Sequence, residues 1–285
     1  MRPLSRSLPL PLLAAGLVAA GLGPLVAPAA DETATLEQPT AEAAALDAPA
    51  SGTELPPVEE TLNAEALAAE LKVRVEELAK HAASDDAFEE ASDMKWAKAT
   101  GVIACIGQAL AMHPQGASLA GDKLAIRDAA LALYEAGDAA EARELIDPLR
   151  EAMAVPGAAN VDSPDAAEPD GVDWYSLIES YYLMQEINDR NAALVKAMRR
   201  PRGTMEEAAN AAVMALLCYP MYAQGEDYVD ESDLPGYYEL TVANMRQAGD
   251  ITEALLAKDR RAVKTATLAA QESCQACHKK YRDGE

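Results

Sequence analysis

The stretch DRRAVKTATLAAQESCQACHKKYR, residues 259–282, carries the pattern on which the fold assignment rests. Asp259 is a favourable N-cap residue, and small or apolar side chains recur after it every three or four positions. This spacing predicts an amphipathic helix. Its inward face consists of Val263, Ala266, Ala270, Cys274, Cys277 and Tyr281. Two cysteines are therefore expected on the buried side of one helix, one turn apart.

Cys274-Gln275-Ala276-Cys277-His278 is the motif for covalent haem attachment. The two sulfurs share a helix face, so they can form thioethers with two vinyl groups on one porphyrin edge. His278 follows directly, and its imidazole can take the iron as the proximal ligand. With four Cys and three His in the chain, random placement yields roughly 0.0006 such motifs. The motif therefore predicts one covalently bound haem c.

Three other uses of Cys274 and Cys277 are weaker. A zinc site needs four ligands, and the remaining cysteines and histidines include no second pair with this spacing. A redox dithiol is favoured at a helix N-terminus, whereas this pair lies near the C-terminal end of its helix, where the dipole disfavours a thiolate. A disulfide across three residues of a helix would be strained.

The nine residues CQACHKKYR, 274–282, resemble the C-terminal signature of class II cytochromes c, the cytochrome c′ and cytochrome c-556 type. Most c-type cytochromes carry the motif near the N-terminus, so its position in this chain is diagnostic. The resemblance covers residues 172–285 and is strong in the last helix but only topological in the first three. It implies an all-α fold in which a left-handed four-helix bundle holds haem near one end, often as a homodimer.

The same resemblance implies roles for individual residues. Cys274 and Cys277 would be the thioether residues, and His278 the axial ligand of the iron. Arg282 resembles the arginine that lies beside the proximal face of the haem in this family, although an exposed terminal charge is the alternative reading.

On the distal side, the family places a residue of the first helix over the iron. It is Met in low-spin electron-transfer members and an apolar residue in five-coordinate, gas-binding members. Met184 is the candidate here, with Met198 and Met214 as weaker options, and an ordinary core methionine is the alternative reading. The family's usual arginine one turn earlier is absent, because Ser180 stands four residues before Met184.

The C-terminal segment, residues 172–285, reads as the haem-bearing four-helix bundle. Pro, Gly and capping residues predict three helices before the last one, at 174–198, from 204 to an interruption at Pro220, and at 235–258 with a weak point at Gly249.

Residues 58–154 are predicted to form another helical domain, without a haem motif. A linker at 155–171 is expected to join it to the C-terminal bundle. Its helices are expected at 67–78, 93–112, 123–135 and 138–153.

The two segments show a weak sign of duplication. Cys105 and Cys218 occupy similar places, and Asp138 aligns with Asp259 as the start of each last helix. A competing alignment pairs AGDAAEA, 136–142, with AGDITEA, 248–254. The two alignments are incompatible, and the sequence leaves the choice open.

Residues 1–29 predict a secretory signal peptide, with Arg2 and Arg6 at its start, an apolar stretch, and a small-residue cleavage site at 27–29. Residues 30–57 mix Pro, Thr, Ala and Glu without periodicity, which predicts a disordered acidic leader. The mature protein is therefore expected to be periplasmic and soluble, without stable membrane insertion.

The 285 residues include 24 Lys+Arg against 47 Asp+Glu, for a formal charge of −23. This excess argues against nucleic-acid binding, because phosphates would be repelled. Its acidic clusters are expected to be solvated faces that could steer a basic redox partner. Only 5% of residues are aromatic, which suits closely packed helices better than a β-sandwich.

The predicted function is one-electron transfer through an Fe(III)/Fe(II) couple, without substrate chemistry, so an enzyme is not expected. Two alternatives remain open: a five-coordinate haem that binds NO or CO, and a partner-binding module with an accessory haem. Cys105 and Cys218 are expected to be buried free thiols, with an inter-domain disulfide as the alternative, and His81 and His113 to be surface residues.

Overall fold

The structure is a computed structural model that describes residues 54–156 and 171–282, apart from the side chains of Ser92 and Asp93. These ranges contain helices and no strand, so the predicted all-α fold is confirmed. The expected signal peptide at 1–29, nearly all of the leader at 30–57 and most of the linker at 155–171 lie outside the described residues.

Ten α-helices follow one another along the described chain. They are α1 Val58–Thr61, α2 Ala64–His81, α3 Asp85–Met112, α4 Lys123–Tyr134, α5 Ala139–Ala154, α6 Ser180–Met198, α7 Met205–Ala223, α8 Gly225–Tyr228, α9 Leu234–Leu256 and α10 Arg260–Cys277. Short 3₁₀ turns at Pro114–Ser118 and Trp174–Leu177 and a π-helical turn at His278–Arg282 complete the helical structure.

The C-terminal segment forms a closed four-helix bundle. Helix α6 packs on α7, α7 on α9 and α9 on α10, and α10 returns to contact α6. Side chains close the starts of two of these helices. Thr204 and Glu207 form a reciprocal capping box at α7, and Asp259 Oδ1 accepts hydrogen bonds from the backbone of Arg261 and Ala262 at α10. The predicted caps are therefore present.

The N-terminal segment repeats this arrangement. Helix α2 packs on α3, α3 on α4 and α4 on α5, and α5 returns to α2. Asp138 caps α5 through the backbone of Ala140 and Glu141, as Asp259 caps α10. The architecture therefore agrees with the alignment of Asp138 and Asp259. The competing alignment would match the loop before α5 with the interior of α9.

The two bundles share one hydrophobic core. Helix α2 lies against α7, and α3 contacts both α6 and α7. All described residues belong to one compact unit, with a single cluster of buried side chains running through both segments. Within the described residues, the two bundles therefore do not form separate hydrophobic cores.

Two helix interiors differ from the sequence expectation. Helix α7 continues through Pro220 to Ala223 rather than being interrupted there, because burial of Pro220 and its neighbours in the core offsets the one backbone hydrogen bond that proline cannot make. Helix α9 also runs unbroken through Gly249. A Cβ at Gly249 would lie 2.7 Å from the Thr61 carbonyl oxygen, so the glycine permits α1 to approach α9.

The first long helix of the C-terminal bundle is shorter than predicted. The expected helix over 174–198 divides into the 3₁₀ turn Trp174–Leu177 and helix α6. Ile178 lies between them with extended backbone angles, φ −156° and ψ 128°.

His113 is buried, with 6% of its surface exposed, so the prediction of a surface position was wrong. Its Nε2 lies 3.2 Å from the Leu62 carbonyl oxygen, and its Nδ1 accepts a hydrogen bond of 3.1 Å from the Gln115 backbone. This pattern requires a neutral ring. Burial lowers the pKa of His113 more than the Leu62 carbonyl and the nearby Glu59 carboxylate raise it.

We expect this histidine to reduce stability at acidic pH. The unfolded chain takes up a proton at an ordinary His pKa of about 6.5, and the folded chain does so only at lower pH, so acidification favours unfolding. Below about pH 6.5, this proton uptake lowers the free energy of unfolding by at most about 1.4 kcal/mol per pH unit. Urea unfolding of the wild type and His113→Gln between pH 8 and pH 5 measures it. The stability difference between them should shift against the wild type as pH falls, and a pH-independent difference contradicts the assignment.

Candidate functional site

A cleft opens at one end of the C-terminal bundle, between α6, α7, α9 and α10. It consists of two adjoining cavities of about 240 Å³ each. Both cavities are lined by Met184, Asn188, Met221, Cys277, His278 and Arg282. The cleft therefore brings together the predicted thioether residue Cys277, the predicted iron ligand and the predicted distal methionine, and Cys274 lines the first cavity beside them.

The two thiols of α10 are partly buried against the bundle. Cys274 Sγ accepts a hydrogen bond of 3.0 Å from Asn244 Nδ2 of α9. Burial raises the pKa of Cys274, and burial together with the neighbouring Cys274 raises the pKa of Cys277 to about 11. Both groups are thus protonated at neutral pH. This disfavours a redox dithiol, whose attacking cysteine needs a lowered pKa.

His278 is the first residue after α10 and opens the π-helical turn His278–Arg282. Such turns are wider than an α-helix and occur frequently at functional sites. Arg282 Nη1 lies 3.3 Å from His278 Nδ1. Because a guanidinium only donates hydrogen bonds, this contact requires Nδ1 to be the acceptor and places the ring proton on Nε2. Arg282 therefore lies beside the imidazole of His278.

The side-chain amide oxygen of Asn244 is a polar atom of the cleft without a partner among the described residues. Asn244 is 6% exposed and lines the first cavity. A buried unsatisfied amide oxygen costs about 1–3 kcal/mol. Such an atom fits a site in which a ligand or an ordered water completes the structure.

The far wall of the cleft contains two methionines. Met184 of α6 is partly buried, and Met221 of α7 is 6% exposed. Neither Met198 nor Met214 lines the cleft, and Met214 lies within the core. Sequence reasoning did not select Met221, although it lies three residues after the buried Cys218 and so on the same face of α7.

Cys105 and Cys218 are buried free thiols, so the alternative of a disulfide between them is not present in the structure. Cys105 lies on α3 and Cys218 on the corresponding helix α7. The pKa of Cys218 is raised by burial and by the proximity of Cys274 and Cys277. Cys218 itself lines neither cavity of the cleft.

Comparison with known proteins identifies no relative. No family model, no curated protein and no solved structure matches the chain. Within residues 54–156 and 171–282, no helix combines the length and apolar character needed to span a membrane. The same ranges contain no group of three or more His, Cys, Asp or Glu side chains that could hold a metal ion.

We expect Cys105 and Cys218 to be inert in the folded protein. They are 0% and 1% exposed, and burial raises the pKa of both thiols, so alkylation requires unfolding. Labelling with a maleimide before and after denaturation, read by peptide mass, should place label on them only in the denatured sample. Label on either cysteine in the native protein, or a Cys105–Cys218 disulfide peptide, contradicts this burial.

Proposed function

We propose that this chain is an exported haem c protein of class II cytochrome type that transfers single electrons. One observation carries the proposal: Cys274, Cys277 and His278 all line the same cleft, whose opposite wall holds Met184. Bound haem supplies an Fe(III)/Fe(II) couple. The pattern of residues 1–29 supports export to the periplasm, the compartment in which the redox partner is expected.

The residues of the cleft fit a flat cofactor held at one edge. Cys274 and Cys277, one turn apart on α10, would hold the porphyrin through two thioethers. His278 would bind iron through Nε2, which leaves the ring proton on Nδ1. The guanidinium of Arg282, which now approaches Nδ1, would then have to turn away, because two donors cannot share that hydrogen bond.

The walls of the cleft would set the reduction potential of the iron. Met184 is the nearest counterpart of the family's distal residue, and a thioether ligand raises the potential of haem iron. The buried side chains of Tyr237 and Met221, 3% and 6% exposed, give the second cavity apolar walls that exclude water. A drier surrounding disfavours the additional charge of the oxidised state.

An acidic segment adjoins the cleft. Glu226, Asp227, Asp230 and Glu231 flank Tyr228 in sequence, and Tyr228 lines the second cavity. Carboxylates at the mouth of a redox site attract a positively charged partner and increase its association rate, an effect that salt weakens. A basic redox partner is therefore part of the proposal.

Intact mass tests the attachment directly. The protein recovered from the periplasm should exceed its polypeptide mass by one haem, and Cys277→Ala should abolish the two-point attachment. Cys105→Ala is the matched control, because it removes a cysteine from the other bundle and should leave the haem in place. After denaturation the wild type should show two titratable thiols rather than four. A wild-type mass equal to that of the polypeptide alone overturns the proposal.

The distal ligand is tested by the visible spectrum. The ferrous wild type should be six-coordinate and low-spin, and Met184→Leu should become high-spin and bind CO, because leucine cannot coordinate iron. Met214→Leu is the control, since Met214 lies in the core away from the cleft. A spin change in Met221→Leu instead assigns the ligand to Met221. A high-spin wild type that binds CO favours gas binding over electron transfer.

A further inference from the structure

Four charged side chains, three of them buried and one partly buried, join the two bundles. Glu70 and Arg74 lie on α2, and Glu186 and Arg190 lie on α6, each pair four residues apart along its helix. The pairs are also crossed, because Arg74 donates to Glu186 and Arg190 donates to Glu70. The exposed fractions of the side chains are 2% for Glu186, 6% for Arg190, 9% for Glu70 and 16% for Arg74.

The arrangement has approximate two-fold symmetry. The Arg74 Nε–Glu70 Oε1 distance is 2.9 Å on α2, and the corresponding Arg190 Nε–Glu186 Oε1 distance is 2.8 Å on α6. Each bundle therefore contributes one acid and one base to a neutral quartet. Asn210 of α7 adds a further bond, because its Oδ1 accepts from Arg190 Nη1 at 2.6 Å.

The N-terminal bundle holds α6 at other points along its length. Tyr134 of α4 donates a hydrogen bond to Glu179, the residue before the first turn of α6. Lys98 of α3 approaches Glu186 Oε2 at 3.5 Å and pairs with Asp189. Three helices of the haemless half thus bind the start and the middle of one helix of the other half.

Helix α6 has a second face, and it lines the cleft. Met184, Ile187, Asn188 and Asn191 all border the first cavity. These positions recur every one to three residues in the order 184, 187, 188 and 191, so they share one face of the helix. Glu186 and Arg190 lie on the opposite face, which contacts the N-terminal bundle. A rotation or axial shift of α6 at the charge cluster would therefore displace the wall of the cleft.

We propose that the N-terminal bundle holds α6 in position, and that Arg74 is a positioning residue for the open side of the cofactor site. The cluster fixes the register of α6, and this register decides where Met184 stands relative to the cleft. The inference gives the haemless half a role in the properties of the iron, and it rests on the proposed function for that consequence alone.

The test uses the full chain with Arg74→Gln, which removes one charge of the quartet from a residue outside the cleft. Arg150→Gln is the matched control: Arg150 is also an arginine of the N-terminal bundle, and it pairs with Glu76 at 3.4 Å with both side chains largely exposed. Arg74→Lys keeps the charge but lacks the planar guanidinium, so its amide exchange in α6 should be intermediate between those of the wild type and Arg74→Gln.

Hydrogen exchange of the α6 amides measures whether the N-terminal bundle holds this helix in position, and it does not require haem. Amides of α6 should exchange faster in Arg74→Gln than in Arg150→Gln, while those of α9 and α10 remain similar. The CO affinity of the ferrous protein should rise by a factor of about ten, within the range typical of coupling between two sites, because CO then competes with a less well placed Met184.

The outcomes separate this inference from the proposed function. A wild type without haem overturns the proposed function, and amide exchange of α6 still decides whether the N-terminal bundle holds this helix in position. Equal exchange of α6 in Arg74→Gln and Arg150→Gln shows that the charge cluster does not hold it. Faster exchange of α6 in a haem-loaded protein whose spectrum and CO affinity are unchanged overturns the positioning role.

Discussion

The close packing of α7 with its neighbours is the constraint on which the rest of the structure depends. Fourteen of its 19 residues are buried, and five of these are alanines. Small side chains let helix axes approach closely, so α7 can contact α2, α3, α6 and α9 at once. The same helix carries Met221, which lines the cleft, and the buried Cys218 one turn before it. A larger residue in place of one of these alanines would therefore disturb both bundles and the candidate site together.

The parts of the fold that sequence reasoning predicted correctly are those that depend on local interactions. Asp138, Thr204 and Asp259 each bond to backbone groups two or three residues away, and the helix starts at these points agree with the structure. The predicted interruption at Pro220 was wrong because it rested only on the general tendency of proline to break a helix. Pro220 lies in the last turn of a largely buried helix, where tertiary packing outweighs the lost backbone bond.

The candidate site divides in the same way. Cys274, Cys277 and His278 are neighbours in sequence, and their common exposure to one cleft follows from helical spacing. Met221, Asn244 and the neighbourhood of Cys218 depend on how α7, α9 and α10 are registered against one another, which periodicity does not determine. The quartet was equally out of reach, since Glu70 and Arg190 are 120 residues apart and nothing local pairs them. His113 was misplaced because its partner, the Leu62 carbonyl, comes from another helix end.

The repetition of one bundle within a single chain has a consequence for how the molecule can change. In an assembly of two identical subunits every substitution occurs twice, once in each copy. Here the covalent link keeps the halves at a high effective concentration even in very dilute solution, and it allows each half to vary alone. One half can thus lose the residues of the candidate site and retain those of the contact surface between the halves.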